Sequence, residues 1–153
     1  MNIQLDLLRS KLLHSSFDDK ELNISNKKGF VKSSLALNFE EIDINEDAEN
    51  NVVELHFESK SELTGFVGHD LEDSEIAFSL SLEAVSSFTV DTSSVSNDVE
   101  ASIQSLIGTD YAKYLVMAVC KQFHIEQAGK LLSSTKFSSV PVQYAGDISG
   151  DEK

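Results

Sequence analysis

One cysteine, one proline, seven glycines and no tryptophan stand in 153 residues, and most of these shortages remove an architecture. A lone Cys120 cannot close an intramolecular disulfide, so no disulfide scaffold is available. Pro141 and seven glycines leave little linker material, which implies one domain over residues 1–145 and a polar tail over 146–153. No stretch approaches the roughly 18 uninterrupted apolar residues of a membrane-spanning helix. The opening MNIQLDLLRSKLLHS breaks its apolar residues with Asp6, Arg9 and Lys11, which is not the pattern of a secretory leader. Basic residues are scarce too. Twelve Lys and Arg against 26 Asp and Glu leave a net charge of -14. Such a surface cannot displace the counterions of nucleic acid and is repelled by anionic membranes. The expectation is a soluble cytoplasmic protein, suited to a basic partner or to a task that demands high solubility.

Catalytic signatures are missing as well. His14, His56, His69 and His124 are never three or four residues from one another, and the single His/Cys pair at helical spacing, Cys120 and His124, supplies too few ligands for a metal site. Cys120 lies in the apolar run VMAVCKQF, and its neighbour Lys121 points to a different helix face, so the thiol reads as structural. The glycines of GFVGHD (65–70) lack the strand before and helix after that a phosphate loop needs, and read as a turn. No GxSxG or HExxH occurs, and no pair of acids is singled out by apolar surroundings. The expectation is a protein without catalysis, metal or cofactor.

What is present is alternation. From Ile76 to Val90 every even position is apolar or small, and the odd ones are mostly Ser, Glu and Thr. That predicts one long strand with a greasy and a wet side. Sixteen residues would span about 53 Å, more than the roughly 40 Å diameter of a compact monomer of this length. Such a strand must bend, with Ser86-Ser87 the candidate place, or reach an edge where another chain can meet it. Val31, Leu35, Leu37 and Phe39 define an earlier strand whose phase shifts to Ile42 and Ile44, implying a β-bulge near Glu40-Glu41. Residues 45–51 read as a turn, Val52–Lys60 as a strand with Val53, Leu55 and Phe57 inside, and 62–74 as a connection. Residues 3–13 fit helix or strand, and 12–24 fit strand, turn, strand about Asp18-Asp19.

After Asp91 the period becomes helical. Val95, Val99, Ile103, Leu106 and Ile107 form one stripe, with Asn97 and Glu100 as a capping box and Gly108 as a stop. Thr109 caps a second helix whose stripe is Tyr111, Tyr114, Leu115, Ala118, Val119 and Phe123, with Gly129 as a break or bend. The fold class is therefore α+β: an antiparallel four-stranded sheet with C-terminal helices packed on one face. Two surfaces are candidates for binding. The wet sheet face offers Glu40, Glu54, Glu58 and Glu83 for docking a basic partner. The nine phenylalanines and many leucines offer side chains for a groove that takes apolar polypeptide.

The layout from about residue 12 to 144 resembles the SecB-type protein-export chaperones. The strand ending in SLEAVSSFTV, the run SNDVEASIQSLIG and the closing phrase GKLLSSTKFSSVPVQY carry the likeness. The family's proline-bracketed aromatic motif at the start of the long helix is replaced here by GTDYAKYLVMAV. The resemblance implies a holdase for unfolded or non-native polypeptide, serving export or a dedicated client. It also implies a homotetramer built as a dimer of dimers, without nucleotide or catalysis. Within the closing phrase Leu131, Leu132, Phe137 and Val140 are the candidate peptide-binding residues. The alternative is an acidic inhibitor or accessory protein that docks a basic protein.

Overall fold

The alternation over residues 76–90 is realised as an 18-residue strand, Ser74–Asp91, in a computed structural model. The structure describes residues 4–25, 27–47, 49–95, 98–144 and, by backbone alone, 146–149. In chain order the elements are β1 (Asp6–Asp19), β2 (Gly29–Asn38), β3 (Asp43–Asp47), β4 (Val52–Gly68), β5 (Ser74–Asp91), α1 (Val99–Ile107), α2 (Asp110–Ser133) and β6 (Gly146–Ser149). The sheet runs β1-β5-β4-β2-β6, and β3 also pairs with β4. Pairing is antiparallel except for β6, which lies parallel to β2. The fold is the expected α+β arrangement, with both helices after the main sheet. Two short strands, β3 and β6, enlarge the four-stranded sheet read from sequence. Residues 146–149, read as the start of a polar tail, pair with Leu35–Asn38 of β2.

The long strand is accommodated by neighbours of similar length rather than by a break at Ser86-Ser87. β4 pairs with β5 from Val52–Asp91 to Gly68–Ser74, and β1 runs beside β5 from Asp6 to Asp19. Irregularities fall on β1, with register shifts between Leu7 and Arg9 and between Leu12 and His14, and on β5 at Ala77, where Gly65 pairs with Phe78 but Phe66 with Ile76. The two bulges of β1 explain why its leucines fall at mixed, partly helical spacing: each extra residue moves the apolar side by one. β1 is thus one strand to Asp19, not strand, turn, strand. Ile3 lies outside the described residues.

The phase shift after β2 has a similar cause on a larger scale. Leu37 stands opposite Ser59 and Asp43 opposite His56. Between those pairs β2–β3 has residues 38–42 and β4 has only 57–58, an odd excess that swaps the faces. Asn38 holds this excursion, its side-chain oxygen accepting from the N–H groups of Glu40 (2.9 Å) and Glu41 (3.2 Å). The expected bulge is therefore a short loop, and part of the expected 45–51 turn is β3.

β4 extends well past Lys60, so the turn to β5 is confined to residues 69–73. The extension escaped the alternation test because its inward residues include Ser61 and Gly65, which are small or polar. Gly65 is required there. A Cβ on it would stand 2.1 Å from the Phe78 ring, so the ring occupies the space a side chain would take.

The helices cover one sheet face. Around Leu37, Val53, Leu55, Phe57, Phe88 and Val90 lies one core cluster, under α1 and the first half of α2. Leu35, Leu63, Phe78, Leu80 and Leu82 form a second, under the end of α2 and the segment reaching Tyr144. Fully burying such a side chain contributes about 1.5–3 kcal/mol. Asp98 caps α1 by accepting from Ala101 N–H, and Thr109 caps α2 by accepting from Ala112 N–H. Asn97, the expected cap, lies outside the described residues. Gly129 does not break α2, which runs to Ser133.

The buried row of α2 is not the expected one. Ala112, Val116, Cys120, His124, Ala128 and Leu132 face the sheet, whereas Tyr111 and Tyr114 are exposed. Small helix residues pack here because the sheet already supplies Phe57, Phe78 and Phe88, and an interior filled from both sides would be overpacked. Residues four apart advance about 40° past a full turn, so this row winds around the helix and follows the sheet twist.

Candidate functional site

Between the two core clusters runs a line of buried polar groups. His124 is 1% exposed. Its Nε2 lies 2.8 Å from Ser59 Oγ and its Nδ1 2.6 Å from Ser61 Oγ. Ser59 and Ser61 are two apart on β4, so both reach the same face and grip the ring together. Each hydroxyl can donate or accept, so the neutral ring is satisfied in either tautomer. Burial disfavours the imidazolium and lowers the His124 pKa to about 4. One turn earlier Cys120 Sγ is 3.5 Å from Ser86 Oγ, which is 2.8 Å from Ser10 Oγ. Burial pushes the Cys120 thiol up, the opposite of an activated nucleophile. Ser59, Ser61, Ser86, Cys120 and His124 are buried, and Ser10 at the end of the line is partly exposed.

The open feature lies at the end of the sheet where β2, β4 and β5 meet the segment after α2. It is a groove of about 430 Å³. One wall is the β1–β2 connection, with Ile24, Lys27 and Lys28. The floor is Phe30, Val31, Gly65, Phe66, Ala77 and Phe78, and the far wall is Phe137, Val140 and Pro141. The rings of Phe30 and Phe66 stack with centroids 4.9 Å apart. Beneath, Phe137 packs against Phe78 at 4.4 Å and Phe17 at 6.2 Å. Lys136 ties the two walls: its Nζ donates to the Leu22 carbonyl at 2.9 Å and lies 3.6 Å from Asp19. The groove therefore has a base packed into the core and a partly exposed apolar rim, the usual make-up of a binding cleft.

The four residues chosen from the closing phrase divide here. Phe137 and Val140 line the groove. Leu132 is a core residue of α2, and Leu131 is partly buried against the same cluster, and neither lines the groove. Ile24, Phe30 and Phe66 were missed. Phe66 stood in a presumed turn, and its stacking on Phe30 depends on a strand register that spacing alone does not reveal.

The acidic set is dispersed. Glu54, Glu58 and Glu83 lie on the sheet face away from the helices, and Glu40 sits in the loop after β2. Glu83 is 3.8 Å from Lys60, and Glu54 is 3.4 Å from His56. His56 is itself held by Ser87 Oγ at 2.6 Å. A shallow depression beside Glu58, Lys60 and Glu83 also contains Leu13 and Ala36. This face is mixed in charge rather than uniformly acidic. Among the described residues no three His, Cys, Asp or Glu side chains converge to hold a metal. No helix there is long and apolar enough to cross a membrane.

No protein-family model matches the chain, and no curated protein matches it. Among solved structures it is similar to a SecB-like chaperone of Mycobacterium tuberculosis in complex with a peptide from the HigA1 antitoxin. The superposition has a TM-score of 0.50 at 8% identity and covers 91% of this chain and 87% of that one. A protein of unknown function from Streptococcus agalactiae aligns with a TM-score of 0.44 at 9% identity, over 94% of this chain and 98% of that one. The first likeness establishes a shared fold.

Proposed function

We propose that this protein is a SecB-like holdase that binds extended, non-native polypeptide in the groove between the β1–β2 connection and the segment after α2. The observation that carries the proposal is the groove itself: an open apolar cleft whose base is anchored in the core. Support comes from the shared fold with a SecB-like chaperone that was solved with a bound peptide. Each large apolar side chain of a client contributes about 1.5–3 kcal/mol when buried. Several such contacts reach micromolar affinity, near 8 kcal/mol, after the cost of association. A holdase must keep apolar surface open without clumping, and a net charge of -14 supplies repulsion between particles. In this proposal the protein acts in the cytoplasm as a homo-oligomer, without cofactor or catalysis. Its client is an export substrate or a single dedicated protein.

The test is a titration with a reduced, permanently unfolded protein at low salt and in 0.5 M salt. Micromolar binding is expected at both, because apolar contacts are not screened. Val140→Glu, at the partly exposed rim, is expected to weaken binding at least tenfold while leaving the fold intact. Absence of binding at either salt overturns the proposal. Capture of a folded basic protein alone, lost at high salt, would establish the acidic-accessory reading instead.

A further inference from the structure

The groove has a charge opposite to that of the protein. Lys27 and Lys28 are its only charged lining residues among those described. Both are exposed. Lys20, Lys60 and Lys136 each meet a carboxylate, whereas Lys27 and Lys28 form no ion pair among the described residues. Asp70, Glu72 and Asp73 lie in the turn after Gly68, whose N–H donates to the Lys28 carbonyl at 3.0 Å, but none of them lines the groove. Asp19, opposite Phe78 in the register, is neutralised by Lys136. Gly29 pairs with Val67 and Val67 with Glu75, so Glu75 stands two strands beyond Gly29, about 10 Å away. At physiological salt the screening length is about 8 Å. A peptide seated in the groove meets Lys27 and Lys28 directly, whereas the acids of the 69–73 turn and those that set the net charge of -14 act from outside the lining.

We infer that the groove selects apolar segments flanked by acidic residues, with Lys27 and Lys28 receiving the carboxylates. This rests on the proposed polypeptide-binding function and adds to it the chemistry of the preferred client. Net charge alone implies the reverse, a preference for basic segments, so the two are separable.

The experiment uses fluorescence anisotropy with three labelled peptides that share one extended Leu/Val/Phe core and carry paired Asp, Lys or Ser at the flanks. The Asp-flanked peptide is expected to bind the wild type about 5–10-fold more tightly than the Lys-flanked one at low salt, with the gap closing in 0.5 M salt. The double variant Lys27→Gln/Lys28→Gln is expected to abolish the gap. Lys27→Glu/Lys28→Glu is expected to reverse it, and the affinity of each protein for the Ser-flanked peptide is the reference against which its gap is scored. Equal or tighter binding of the Lys-flanked peptide to the wild type, or an order unchanged by both variants, overturns the inference. If none of the three peptides binds, the groove is not a polypeptide site and the inference falls with it.

Discussion

His124 shows how one buried side chain ties stability to pH. Its folded pKa is near 4, lowered from the ordinary 6.5 because burial penalises the charged ring. The unfolded chain therefore takes up a proton at this residue as pH falls through about 6.5, and the folded chain resists until about 4. The contribution of the neutral ring is fully present above 6.5 and declines through that window. Between pH 7.5 and pH 5 the loss is about 2 kcal/mol. Urea unfolding at several pH values measures it. Asp47 and Asp91, whose carboxyls hydrogen bonds from Asn50 and Ser93 hold low, add their own losses only in more acidic solution. His124→Gln keeps partners for Ser59 and Ser61 but cannot titrate, so it is expected to flatten the curve above pH 5. A slope equal to that of the wild type would show that other groups set the acid sensitivity. Neither serine invited notice in the sequence: a polar residue on an inward-facing position reads as an interruption until its partner on the helix is known.

At the scale of elements, the pairing of β4 with β5 depends on a glycine that looked like part of a turn. Gly65 is buried, and the Phe78 ring fills the place of its side chain. Phe78 is in turn fixed by Phe17 and Phe137, so it has little room to withdraw. Gly65→Ala is expected to cost about 1–3 kcal/mol through overpacking, and Gly65→Val more, read from the denaturation midpoint. A neutral Gly65→Ala would mean that Phe78 can move aside and that the groove floor is soft. Periodicity found β2, the first half of β4 and β5 because their inner positions are Leu, Val and Phe. It found the Thr109 cap of α2 and the Gly108 stop of α1 because both have a local chemistry, whereas α1 is capped by Asp98 and the expected cap was Asn97. It misassigned the face of α2 because the largest apolar residues made the more visible stripe, whereas the core selected Ala112, Val116, Cys120 and Ala128 for fit against the sheet phenylalanines.

At the scale of the whole molecule, the two tyrosines of the expected α2 stripe remain on the surface, while Leu115 and Val119 pack against the core edge. Tyr111 is 51% exposed and Tyr114 77%, and Leu7 of the edge strand β1 is 53% exposed. Leu7, Val119 and Phe123 line a further open groove of about 420 Å³ between β1 and α2. Exposed apolar side chains and an open apolar groove are features of interaction sites, and an edge strand can pair with its own copy. A homo-oligomer is expected, at least a dimer and most simply a tetramer of closed two-fold symmetry. Its solution mass at tens of micromolar should be a multiple of 16.8 kDa. Tyr114→Glu combined with Leu7→Glu should lower that mass without loss of secondary structure. A wild-type mass equal to one chain would remove the oligomer from the proposal.

The sequence by itself determined the α+β class, the long one-sided strand, the helix starts at Asp98–Val99 and Thr109–Asp110 to within a residue, and the acidity. Each of these follows from local periodicity, a local cap or a sum over residues. Only the tertiary structure decided which helix face is buried, that Ser59, Ser61 and His124 meet, and that Ile24, Lys27, Phe30, Phe66 and Val140 share one groove. Those residues are up to about 116 positions apart in the chain. They converge because strand register and helix placement are set by packing of the whole sheet, and no local pattern encodes a contact whose two halves lie on different elements.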